Sequence, residues 1–249
     1  MYDGMLAETV RIAGDGGDLI AAYVARPLAP GPLPGVVIAH HMPGWDEWTK
    51  EVARHLARNG YLAVCPHLFH RDAPDAGPDD AAAAARANGG APDDRVMGDL
   101  AGGAAAIRAM TNSNGKVAVL GHCSGGRQAY LAACRIEIDA AVDCYGGGVV
   151  LAPDQRSPAM PVAPIDLTPQ MRAPLLGLFG NDDRSPTAEQ VDQTEAALQA
   201  NGKTYEFHRY DGAGHAFFCT VRPAYRVEAA LDGWQRIFTF LGHHLATEP

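Results

Sequence analysis

The chain has few cysteines, a deficit of positive charge and no long apolar run. Cys65, Cys123, Cys134, Cys144 and Cys219 are scattered and odd in number. That pattern argues against a disulfide framework and suits a reducing compartment, so a cytoplasmic location is expected. No Cys-x-x-Cys, no His-Glu-x-x-His and no tight acidic cluster occurs. With those spacings missing, neither a metal nor another cofactor is expected. Lys and Arg total 20 against 29 Asp and Glu, a net charge of −9. Nucleic acid and anionic membrane surfaces are therefore not expected partners. No apolar stretch reaches the length of a bilayer span, and no basic stretch followed by an apolar core opens the sequence.

What remains is 249 residues with 47% hydrophobic side chains, enough for one α/β domain over residues 1–249. Short apolar runs alternate with helical spacings. A hairpin is expected from Glu8–Ala13 and Leu19–Ala25 around Gly14-Asp15-Gly16-Gly17. Buried strands are expected at Gly35–Ala39, Leu62–Cys65, Lys116–Leu120, Ala140–Asp143 and Leu175–Phe179, and an alternating strand at Thr204–Tyr210. Helices are expected at Asp46–Asn59, Asp93–Met110, Thr187–Ala200 and Pro223–Leu245. Asp72–Gly90, rich in Ala, Asp, Gly and Pro, reads as a mobile surface excursion. Ala152–Ala173 carries five prolines and reads as an ordered loop over the active-site rim. This alternation implies a mostly parallel central sheet flanked by helices on both faces.

Gly121-His122-Cys123-Ser124-Gly125-Gly126 follows one of those strands and leads into a helix. This order describes a nucleophile elbow, in which a reactive side chain sits on a strained turn between small residues. Register separates the two candidates. With Cys123 central, the positions two before and two after are Gly121 and Gly125. With Ser124 central, His122 falls where an imidazole should clash. Cys123 is therefore the expected nucleophile. The helix N-terminus favours its thiolate, and the Ser124 amide is the expected first oxyanion donor.

On such a scaffold the acid and base follow the nucleophile in chain order, each beyond a later strand. Asp183, with Asp182 in reserve, follows the Leu175–Phe179 run. His215 follows the alternating strand in a glycine-rich loop. A turn aspartate and a solvated loop histidine are the competing readings of each. Three reactive groups at three strand ends, in order, favour a shared site.

Beyond the elbow, the residues that carry a family resemblance are Val36 through Gly44, Gly60 through Pro66, Ser113 through Val117, Gly180 through Asp183, and Gly212 through Phe217. With the Cys-centred elbow, the chain resembles the dienelactone hydrolases (carboxymethylenebutenolidases), a branch of the α/β-hydrolase fold. The resemblance implies a Cys123-His215-Asp183 triad. It also implies that the amide of Met42 is the second oxyanion donor and that a small ester or lactone is the substrate. His41 stands where well-studied members carry a glutamate, and Cys219 where they carry a substrate-binding arginine. Arg222, Arg127 and Arg71 are candidate replacements for that arginine. His41, Trp45 and Phe217 are candidates for the pocket wall. A short-chain carboxylesterase, a thioesterase, or a weakly catalytic binding protein on the same fold are the alternative functions. A monomer or small homo-oligomer is expected.

Overall fold

The computed structural model describes residues 4–246; residues 1–3 and 247–249 of the expected domain lie outside them. Eight strands form one sheet: β1 (Met5–Ala13), β2 (Leu19–Pro27), β3 (Leu33–Ala39), β4 (Leu62–Pro66), β5 (Ser113–His122), β6 (Ala140–Cys144), β7 (Leu175–Gly180) and β8 (Tyr205–Tyr210). Their order is β1-β2-β4-β3-β5-β6-β7-β8. β2 runs antiparallel to both β1 and β4, and every other pair is parallel. Every residue of β4, β6 and β7 is buried. Such strands are covered on both faces, which is why their sequences read as unbroken apolar runs and not as alternations.

Six helices cover the sheet: α1 (Glu47–Arg58), α2 (Pro78–Ala87), α3 (Asp93–Arg108), α4 (Ser124–Arg135), α5 (Ala188–Ala200) and α6 (Val227–Leu245). One core packs Trp48, Val52 and Leu56 of α1 and Ile237 and Leu241 of α6 on one face. The other core packs Leu100 of α3, Tyr130 of α4 and Leu198 of α5. Local chemistry fixes the ends. Asp46 caps α1 by accepting from the Thr49 amide at 2.8 Å. Thr187 and Gln190 form a reciprocal capping box at α5. Among the described residues no helix is long and apolar enough to cross a membrane.

Two segments differ from expectation. Residues 72–90 are not a structureless excursion, because they contain α2. Pro78 starts that helix, and Ala81, Ala82 and Ala85 bury one face of it. Alanine's helix propensity outweighs the flanking glycines and prolines. Asp72 fastens the segment by accepting from Arg95 and Asn88. The second segment, Ala152–Ala173, folds as two short 3₁₀ turns. It docks on α4 through the 2.6 Å contact of Thr168 with the Tyr130 hydroxyl. Its Ala159 and Met160 border a more enclosed cavity beside the main cleft.

Candidate active site

Parallel strands leave their C-terminal ends on one rim, and β3, β5, β7 and β8 each deliver a loop there. Cys123 is the hinge between β5 and α4, at φ 57° and ψ −123°. A left-handed backbone at a residue with a side chain costs about 1–3 kcal/mol and needs support. That support is specific. The Cys123 amide donates to the Cys144 carbonyl at 3.0 Å, and the Gly126 amide donates to the Cys123 carbonyl at 2.9 Å. A Cβ at Gly121 would lie 2.0 Å from the Gly125 oxygen, and one at Gly125 would lie 2.0 Å from the Ala39 oxygen. Neither position tolerates a side chain. His122 turns to the opposite side and packs edge-on against Trp48 and Phe218.

The candidate acid and base come from the ends of β7 and β8. Asp183 is buried, with Oδ2 accepting from His215 Nδ1 at 2.9 Å and Oδ1 accepting from the Ser185 amide at 2.8 Å. Asp182, the reserve candidate, lies one residue earlier and lines the same cleft without a hydrogen bond to His215. A Cβ on Gly180 would meet the Ala213 oxygen at 2.2 Å, so the two loops lie in backbone contact.

Charge distribution follows from these neighbours. Burial pushes the Cys123 thiol up, but the hydrogen bond and charge of His215 and the amides of Ser124 and Met42 bring it below its ordinary value. Burial lowers His215. Hydrogen bonds to Asp183 and Cys123 more than offset that and raise it to about 10. Both shifts favour the thiolate–imidazolium form of the pair over the neutral one.

A cleft of about 470 Å³ is lined by Met42, Cys123, Ser124, Asp182, Arg184 and His215, among others. His41, Trp45 and Phe217, expected in its wall, do not line it. His41 is buried and donates to Asp46 at 2.7 Å, which ties it to the cap of α1. Trp45 stacks on His67 and donates to the Cys65 carbonyl. Phe217 is fully buried against Tyr145 and Phe218, because the chain after His215 dives into the core. Cys219 is buried there too. Of the candidate arginines, Arg127 is held by Asp93, Arg71 by Asp99 and Asp18, and Arg222 is exposed but outside the cleft. Sequence reasoning missed Arg184, whose only available signal is its place directly after Asp183.

Asp143 lies beneath the elbow at the end of β6. Its Oδ1 accepts from the Gly146 amide at 2.7 Å, and its Oδ2 is buried without a partner. Burial pushes its pKa up to about 7. The folded chain therefore holds this proton over a range where the unfolded chain has released it. Stability is lost as pH rises from the ordinary aspartate value of 3.8 to about 7, and the loss levels off above that. Asp143→Asn removes this titration. Thermal melts should show the variant gaining on the parent across that window, up to about 2–4 kcal/mol. A pH-independent difference would contradict the assignment.

Comparison with known proteins agrees with this architecture. A family model described as the dienelactone hydrolase family matches residues 20–245. A protein of Methylorubrum extorquens named "Putative carboxymethylenebutenolidase" is 34% identical over 94% of this chain and 80% of its own length. A protein of Bradyrhizobium named "Probable 2-oxo-3-(5-oxofuran-2-ylidene)propanoate lactonase" is 32% identical over 97% of this chain and 98% of its own. A crystal structure from Klebsiella pneumoniae, titled as a "Putative Dienelactone Hydrolase", superposes with a TM-score of 0.87 at 32% identity, covering 96% of this chain and 99% of that one.

Proposed function

The chain belongs to the dienelactone hydrolase family, and on that premise we propose that Cys123, His215 and Asp183 hydrolyse a small carboxylic ester or lactone through a covalent thioester. The observation that carries this reading is that Cys123, Met42, Ser124 and His215 line one cleft, with His215 Nδ1 held by Asp183 at 2.9 Å. One domain carries the whole site.

The Cys123 thiolate attacks the carbonyl carbon. The amides of Ser124 and Met42 take up the oxyanion, an interaction worth about 3 kcal/mol per donor. His215 then gives its proton to the departing alkoxide, and the thioester remains. Water enters, His215 takes one of its protons, and collapse of the second oxyanion expels the thiolate with the free acid. Asp183 keeps the His215 Nδ1 proton in place, so that Nε2 serves the reaction. The five free cysteines accord with a cytoplasmic enzyme.

Buried Cys219 and the Asp46-bound His41 favour a second reading of the substrate. Without a carboxylate-binding arginine in the first position and an acid in the second, a general short-chain carboxylesterase or thioesterase fits the same machinery. The reaction class is tested directly by mixing the enzyme with p-nitrophenyl acetate, quenching in acid and measuring intact and peptide masses. One acetyl group should appear, on the peptide containing Cys123 and localised to its sulfur. An acetyl on Ser124, or turnover with no adduct under any quench time, would reject the thioester.

A further inference from the structure

A second cavity, of about 110 Å³, lies against the oxyanion donors: Met42 and Ser124 border both it and the cleft. Otherwise the two differ. The cleft is open and holds His215, Asp182 and Arg184. The second cavity is walled by Leu68, Phe69, Ala91, Val96, Ala159 and Met160, and four of these six side chains are buried.

Its charged and polar lining is already committed. Arg127 donates to both oxygens of Asp93, at 2.6 and 2.8 Å, and both side chains are buried. His40 donates from Nδ1 to the His41 carbonyl at 2.9 Å and accepts at Nε2 from the Leu68 amide at 3.1 Å. That pattern fixes a neutral ring. Gln128 borders the cavity too; its Nε2 lies 3.5 Å from Asp93 Oδ1 and its Oε1 is buried out of reach of the cavity space.

Reaction geometry assigns the two spaces. The leaving oxygen must reach His215 to be protonated, so the leaving group extends into the open cleft. The carbonyl oxygen sits between the Met42 and Ser124 amides. The remaining substituent on the carbonyl carbon must then pass these donors, away from His215, and the closed cavity is what it meets. Building on the hydrolase reading above, we propose that this cavity is the acyl pocket, and that it takes a compact, uncharged, apolar acyl group. A cavity of about 150 Å³ accepts benzene, so one of 110 Å³ limits the chain to a few carbons. A carboxylate there would find no free cation, since Arg127 is already neutralised.

The test is a panel of p-nitrophenyl esters: acetate, butyrate, hemisuccinate and octanoate. Butyrate should exceed octanoate and hemisuccinate in kcat/KM by about 100-fold, the scale of discrimination a tight pocket provides. Met160→Ala, at a half-buried position where folding is not at stake, should raise the octanoate-to-butyrate ratio by about 10-fold. A flat chain-length profile that Met160→Ala leaves unmoved would overturn the acyl pocket. So would a hemisuccinate preference. These outcomes leave the hydrolase reading standing as long as acetate turnover is lost in Cys123→Ala. Turnover of no ester, or turnover insensitive to Cys123→Ala, strikes that reading first and takes the acyl pocket with it.

Discussion

Cys123→Ala lowers kcat for p-nitrophenyl acetate by about 10⁵–10⁶-fold, to the level that oxyanion donors and binding alone support. The size of the drop follows from the nucleophile's role. Without sulfur there is no covalent route, and the His215 imidazolium faces no thiolate to activate. Folding should survive, because the hydrogen bonds of the turn come from backbone groups at Cys123, Cys144 and Gly126. Cys123→Gly separates chemistry from strain. At φ 57° a glycine sits without penalty where any side chain is strained. The glycine variant should be as inactive as the alanine variant but more stable by about 1 kcal/mol, read as a Tm higher by about 2–4 °C. Activity retained in Cys123→Ala and lost in Ser124→Ala would move the nucleophile one residue and undo the site.

Such strain explains why the elbow can be read in a sequence. The constraint at Gly121 and Gly125 is steric: each glycine leaves about 2.0 Å between a would-be Cβ and a backbone oxygen. Only one register of the motif satisfies both, so spacing alone separates Cys123 from Ser124. The strands were legible for a related reason. β4, β6 and β7 are buried on both faces, and burial leaves an unbroken apolar signature.

Side-chain direction in loops is a different matter. Asp182 and Asp183 are equivalent as sequence, and a turn decides which carboxylate meets His215. Phe217 and Trp45 are near the reactive residues along the chain, but proximity in sequence does not fix the direction of a side chain. Phe217 falls into the core because Ala216, at φ 65°, turns the backbone inward. His41 is drawn away by Asp46, a contact made only once α1 starts where it does. Arg184 and Gln128 had no motif around them. Their interest comes from what they border in space, which a linear reading does not supply.

Asp183→Asn is expected to lower kcat/KM at neutral pH by about 10⁴-fold, an effect of tautomer and charge with little change in shape. In the parent protein the carboxylate accepts the Nδ1 proton, and in the proposed mechanism this leaves Nε2 to exchange protons with substrate. An amide can present its NH₂ to that nitrogen, driving the ring proton to the face where the sulfur lies. The imidazolium also loses its partner. The raised His215 pKa, about 10, depends on hydrogen bonds and charges from Asp183 and Cys123 acting against burial. Removing the Asp183 contribution lets burial pull the pKa down. The sign of each profile follows. In the parent, ester turnover should hold across neutral pH and fall as pH rises through about 10, where His215 loses the proton destined for the leaving group. In Asp183→Asn the same decline should begin at lower pH. Stability runs in parallel: a raised histidine pKa stabilises fully below its unfolded value of 6.5 and loses that contribution as pH climbs through about 10. The Tm difference between parent and variant should therefore shrink at the alkaline end. A loss of less than tenfold, with an alkaline limb identical to the parent's, would mean that Asp183 only packs beside His215 and that another group orients the base.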